Sequence, residues 1–174
     1  MNLQRSAFVS AITLAGLFVA TGFPSIPARA ADDSAAGGVK LERLNWPDLQ
    51  KRLASNTQAK WTLVDAWATT CGPCKANFPH LIEMHKKYGP KGLAVVSLSL
   101  DDPTDEKAVA DAETFLKEKN ATFTNVLLDE DFGEGYDKLD INAIPAVFLY
   151  GPDGKEVKRF TMDDPNNQFT YDEV

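Results

Sequence analysis

Two cysteines in 174 residues, spaced as Cys71-Gly72-Pro73-Cys74, constrain this chain more than any other feature. Before them runs Trp61-Thr62-Leu63-Val64-Asp65-Ala66-Trp67, rich in β-branched and aromatic residues, the pattern of a buried strand. After them, residues 75–88 carry Phe78, Leu81, Ile82 and His85 at helical spacing. The first cysteine is therefore expected where a strand ends and a helix begins. Unpaired backbone N–H groups and the positive end of the helix dipole converge there, and both favour an anion. A thiolate is such an anion, and it is the form that attacks a disulfide. Cys74, one turn further on, is in reach for the second half of an exchange. The pattern is that of a dithiol–disulfide reagent.

Blander readings of the pair fare worse. Structural zinc needs four ligands, and one Cys-x-x-Cys supplies two. His80 and His85 lie on the same helix with side chains directed away from its start, and there is no second cysteine pair. No metal site is expected. A purely structural disulfide across two residues closes almost no loop and adds little stability. Inert buried thiols belong inside an apolar run, whereas these flank Gly-Pro at a helix entrance.

The chain resembles the thioredoxin superfamily, and within it the TlpA/ResA-like branch of exported thiol–disulfide oxidoreductases. The shared marks are Asp65 in the preceding strand, Trp67-Ala68, Cys71-Gly72-Pro73-Cys74 and Pro79. Later come Asn142-Ala143-Ile144-Pro145-Ala146-Val147-Phe148-Leu149 and Gly151-Pro152-Asp153-Gly154. The match runs from about Leu41 to Phe160. The residue before the first cysteine is aromatic or bulky in most of that branch and is Thr70 here.

The resemblance implies an α/β domain of thioredoxin-like fold over residues 41–174. A mixed central β-sheet is flanked by helices and carries the branch's strand–helix insertion. It also implies roles. Cys71 attacks a substrate disulfide, Cys74 resolves the mixed disulfide, and buried Asp65 helps deprotonate Cys74. Ile144-Pro145 forms a cis peptide opposite Cys71, where the chain pairs with an extended substrate. Trp67, Gly72, Pro73, Ile144 and Pro145 are the expected substrate-binding residues. The redox-active disulfide is the only prosthetic group expected. The implied partners are protein disulfide substrates, apocytochrome c among them, and a membrane-bound thiol reductant.

Residues 1–30 contain no acidic residue. Arg5 precedes an apolar run from Phe8 to Ala20, and Ala28-Arg29-Ala30 supplies a small-residue cleavage pattern. That is the form of a signal peptide and predicts a periplasmic or secreted protein. The run falls short of the about 20 apolar residues of a membrane span, which weighs against the alternative of an uncleaved N-terminal anchor. The remaining 144 residues suit one domain, with 31–40 as a flexible leader. They hold 16 basic against 25 acidic residues, a net charge of −9. Such a charge argues against nucleic acid or an anionic membrane as partner.

Asn45-Trp46-Pro47-Asp48 predicts a short helix with Trp46, Leu49 and Leu53 inward. Leu93 to Leu100 reads as a central parallel strand, followed by a helix ending near Asn120 with Val109, Ala112, Phe115 and Leu116 inward. Residues 122–128 read as another strand. Pro79 is expected to kink its helix. Asp129-Glu130-Asp131 lacks the spacing of a calcium loop and reads as a solvated loop. Gly151–Gly154 predicts a hairpin joining residues 146–150 to 156–160. Thr170-Tyr171-Asp172-Glu173 is a capping box, yet the sequence stops at Val174. The expectation is a fragment lacking its last helix, or apolar sheet left bare.

Three other function classes stand beside this one. A copper-delivery module on this fold would want wider cysteine spacing and a distal histidine, and no histidine lies beyond His85. A thiol peroxidase of the AhpC/TSA type carries Pro-x-x-x-Thr-x-x-Cys, and Ala68 stands at the Thr position here. A binding module that keeps the fold without turnover is the non-enzymatic alternative.

Overall fold

The computed structural model describes residues 38–166 and 168–174. The leader read over 1–30, and residues 31–37 after it, lie outside the described residues. By Val39 the chain is already tied down. Val39 packs on an apolar cluster, and the Lys40 carbonyl accepts from the buried Asn125 amide.

Six strands form one sheet: β1 (Leu41–Leu44), β2 (Trp61–Trp67), β3 (Leu93–Ser99), β4 (Thr124–Leu128), β5 (Ala146–Tyr150) and β6 (Glu156–Phe160), in the order β1-β4-β3-β2-β5-β6. The first four are parallel, β5 runs antiparallel to β2, and β6 runs antiparallel to β5. Parallel strands joined in sequence require crossovers, made here by α1 (Trp46–Ser55), α2 (Gly72–Tyr88) and α3 (Glu106–Glu118), while α4 (Glu134–Leu139) lies between β4 and β5. This is a thioredoxin-like α/β fold with a mixed sheet flanked by helices.

Period-2 alternation assigns the two faces of the sheet. Val64, Ala66, Val96, Leu98, Ala146 and Phe148 pack on Leu49 and Leu53 of α1 and Leu139 of α4. Leu63, Trp67, Val95 and Val147 pack on Phe78 and Leu81 of α2 and Ala112 and Leu116 of α3. Asp65 lies between Leu63 and Trp67 in β2 and so shares the α2 face. A fully buried Phe or Leu contributes about 1.5–3 kcal/mol, so these two clusters hold the site rigidly from below.

Each predicted helix has its local reason. Asn45 caps α1, its side chain accepting from the Asp48 N–H at 2.9 Å, with Pro47 in the first turn. Asp105 caps α3 through the amides of Lys107 and Ala108. α2 runs as one helix through Pro79. Two elements go beyond the sequence reading. β1 is only four residues long with a polar middle, too short for a periodic signal. α4 follows Gly133, an N-cap with a φ of 91° and no side chain to announce the helix.

The C-terminal stretch departs from expectation. The capping box forms, with the Thr170 N–H donating to Glu173 Oε2 at 2.6 Å. What it starts is a single 3₁₀ turn, Tyr171–Glu173. Phe169, Tyr171 and Val174 pack on the α2-side cluster, so that face is partly covered. Among the described residues no helix is long and apolar enough to cross a membrane.

Candidate active site

Cys71 sits at the N-cap of α2, between the end of β2 and Gly72. Its φ of −83° and ψ of 99° are extended, and its Sγ accepts the Cys74 N–H at 3.2 Å. The cap is thus sulfur on backbone amide, at the positive end of a 17-residue helix. A negative sulfur is stabilised at that position. Cys71 and Cys74 are joined as a disulfide with 5.3 Å between their Cα atoms. Cys71 is half-buried, Cys74 is buried, and Gly72 and Pro73 are exposed. The first sulfur is the reachable one and the second is sheltered. That asymmetry is what sequential exchange requires.

The loop before β5 closes on this pair. The Ile144–Pro145 peptide is cis, and the Ile144 carbonyl oxygen lies 3.8 Å from Cys71 Sγ. Ala143 and Ile144 are half-exposed and precede the first ladder residue, Ala146, whereas Pro145 is buried. The solvent-accessible part of this loop beside Cys71 is thus residues 143–144, with the proline beneath them.

Trp67 needs a correction. Its side chain is 0% exposed, wedged between Phe78 and Phe115 at ring distances of 5.5 and 5.0 Å. It cannot touch a substrate. Strand alternation points it into the α2-side core, where it supports the base of the cysteine loop.

Asp65 is 2% exposed, and burial raises its carboxyl to about 7, opposed by a hydrogen bond from Tyr171. Tyr171 Oη donates to Asp65 Oδ2 at 2.8 Å across 106 residues of sequence. Burial beside that carboxylate pushes the Tyr171 hydroxyl far above its usual value. A carboxyl with a midpoint near neutrality can take or give a proton at working pH.

Asp101 stands two residues past the end of β3. It is buried, and it accepts from the Thr69 amide at 2.9 Å, the Thr69 hydroxyl at 2.6 Å and the Ser99 hydroxyl at 2.7 Å. Thr69 stands two residues before Cys71, so this carboxylate pins the loop that presents the reactive sulfur. The sequence does hold a signal, an Asp at the end of an apolar strand level with the Cys motif. His80 and His85 lie on aromatic rings, those of Tyr171 and Phe123.

The AhpC/TSA family matches residues 37–158, most of the chain. The chain belongs to the AhpC/TSA family. Within it, similarity runs to thiol–disulfide oxidoreductases. ResA of Bacillus subtilis is 28% identical over 167 residues, covering 92% of this chain and 88% of ResA. ResA of Oceanobacillus iheyensis is 33% identical over 101 residues, covering 58% of this chain and 49% of that protein. Among solved structures, the thioredoxin domain of a Bacteroides vulgatus thiol–disulfide oxidoreductase superimposes with a TM-score of 0.51 at 25% identity. It covers 60% of this chain and 71% of that one. A Chlorobium tepidum protein assigned as the thiol:disulfide interchange protein DsbE gives 0.50 at 30% identity, covering 60% and 70%.

Membership of the AhpC/TSA family does not bring a peroxidase motif with it. Val64 and Ala68 stand where that motif has Pro and Thr, and the cysteine spacing is that of a dithiol. Fold, disulfide and relatives agree on a thioredoxin-fold oxidoreductase.

Proposed function

We propose that this chain reduces disulfides of exported proteins by dithiol exchange. The observation that carries the reading is the Cys71–Cys74 disulfide at the start of α2, with its outer sulfur against the Ile144 carbonyl. In the reduced enzyme the Cys71 thiolate attacks one sulfur of the substrate disulfide. A mixed disulfide forms, and the other substrate sulfur leaves as a thiolate that takes up a proton. Cys74 then gives its proton to the Asp65 carboxylate and attacks Cys71 Sγ. The second substrate thiol is released and the enzyme is left oxidised. Two electrons have passed from the enzyme dithiol to the substrate disulfide.

Substrate recognition falls to exposed Gly72 and Pro73 and to half-exposed Ala143 and Ile144. An extended chain can add there as a short strand. The leader pattern over residues 1–30 supports export, with periplasmic or secreted action. An exported reductase must be re-reduced, and a membrane-bound thiol reductant would supply the electrons. Reduced apocytochrome c thiols are a fitting product. In this reading the two thiols and the Asp65 carboxyl carry the chemistry, and the redox-active disulfide is its only prosthetic group.

The deciding measurement is the reduction potential of the Cys71–Cys74 pair in glutathione or dithiol buffers. A value well below roughly −200 mV supports a reductase. A value near about −120 mV belongs to strong oxidants and reverses the direction.

A further inference from the structure

Tyr171 reaches the site from the far end of the chain, and the exchange described above does not use it. Its hydroxyl donates to Asp65 Oδ2, while its ring is buried among Phe169, His80 and the α2-side cluster. From this geometry we infer that Tyr171 is a positioning residue: it orients the Asp65 carboxylate and sets its proton affinity, and through Asp65 the pH at which Cys74 is deprotonated. The inference rests on the reading of Asp65 as the proton acceptor for Cys74.

Two opposed effects meet in one side chain. The hydroxyl stabilises the carboxylate by donating to it, which favours the charged form. The ring helps keep water from Asp65, which favours the neutral form. The net result is a carboxyl at about 7, raised by burial and held down by the Tyr171 hydrogen bond. The segment bearing Tyr171 is held by its own contacts. Thr170 and Glu173 close the turn, and the Phe169 ring lies 5.8 Å from Phe160 and 5.5 Å from Tyr171.

The surroundings of the pair are otherwise poor in charge. From α2 come Cys71, Cys74 and His80, the last stacked on the Tyr171 ring at 5.8 Å. The 3₁₀ turn itself carries Asp172 and Glu173, and Glu173 is hydrogen-bonded to Thr170 and influenced by Lys158 of β6. In register beside Asp65, β3 presents Ser97 and β5 presents Val147, neither of them titratable. Tyr171 is thus the one polar partner that the described structure gives the Asp65 side chain.

The test is a pH titration of the Asp65 side-chain carboxyl by carbon NMR on the full chain, as wild type, Tyr171→Phe and Tyr171→Ala. Tyr171→Phe keeps the ring and removes the donor, so the midpoint should rise by about one unit. Tyr171→Ala admits water, so the midpoint should fall toward the ordinary carboxylate range. Opposite shifts from two substitutions at one position are not what a merely structural role gives. The ring carbon bearing the Tyr171 hydroxyl should also titrate with Asp65 in the wild type, a readout that needs no variant to fold. A Tyr171→Phe midpoint that stays or falls, with no Asp65-linked inflection at Tyr171, overturns the inference.

Rates separate this inference from the reading beneath it. The acid limb of mixed-disulfide resolution should move with the midpoint, slowing Tyr171→Phe roughly fivefold at pH 7. If Asp65→Asn abolishes that limb while Tyr171→Phe leaves it in place, the inference alone fails. If the limb survives in Asp65→Asn, Asp65 is not the base, and the NMR midpoints still decide the Tyr171–Asp65 link.

Discussion

Thr69 gives both its amide and its hydroxyl to the Asp101 carboxylate, at 2.9 and 2.6 Å, bridging the ends of β2 and β3 two residues before Cys71. The two strands are already paired in parallel up to Trp67 and Ser99. The carboxylate extends that pairing past the ladder, into the loop that must hold the reactive sulfur still.

Asp101→Ala should therefore cost stability and rate together. Three donors, the Thr69 amide and hydroxyl and the buried Ser99 hydroxyl, lose their acceptor, and the expected loss is about 2–4 kcal/mol. Asp101→Asn keeps an oxygen toward Thr69 and should lose clearly less. Guanidinium melts alongside disulfide-reduction rates check both. An alanine variant as stable as wild type would show that Thr69 is held by something else.

Asp65 makes a prediction about stability against pH. Its folded midpoint, about 7, lies above the ordinary value of 3.8. Between roughly pH 4 and 7 the unfolded chain has released this proton while the folded protein keeps it. Stability contributed by the protonated carboxyl is thus complete below about pH 4 and is lost as pH rises toward 7. Asp65→Asn removes that loss. It should be more stable than wild type at pH 8, by an amount on the order of 4 kcal/mol at most, and the gap should close at pH 4. Thermal melts at the two pH values measure it.

The two cysteines should fail differently. Cys74→Ser should accumulate a mixed disulfide on Cys71 that survives non-reducing gels, because the sheltered sulfur that resolves it is gone. Cys71→Ser should form no such adduct and show no turnover. Neither should unfold the domain, since so short a loop is worth at most about 2 kcal/mol in chain entropy. Turnover persisting in Cys71→Ser would remove the mechanism.

Gly154 closes the β5–β6 hairpin at a φ of 71°. A Cβ built there would lie 2.5 Å from Ala54 Cα and 3.0 Å from its backbone nitrogen, in α1. Gly154→Ala should cost at least about 2 kcal/mol, from left-handed strain and from backbone that cannot give way. Redox activity per folded molecule should stay unchanged, because the turn connects β5 and β6 at the ends remote from Ile144. Denaturant midpoints and specific activity check the two halves.

Much of this protein is local and could be read from the order of its residues. Strand β2, the start of α2 at the cysteines and the hairpin at Gly151–Gly154 follow from patterning, capping and turn chemistry, which act within a few residues. The Cys-Gly-Pro-Cys spacing fixes its own chemistry for the same reason. Trp67 was legible as strand but not in its role, because alternation decides the face and only packing decides what lies over it. Asp65 was legible as an unusual buried acid, while its partner was not. Tyr171 lies 106 residues away, in a capping box that read as the start of a longer helix. Asp101 and Thr69 are 32 residues apart, joined only because β2 and β3 run side by side. Hydrogen bonds of that span leave no periodic trace in a sequence. The chain by itself determined the reagent and the scaffold. The folded structure decided which buried groups hold the reagent in place and tune its proton.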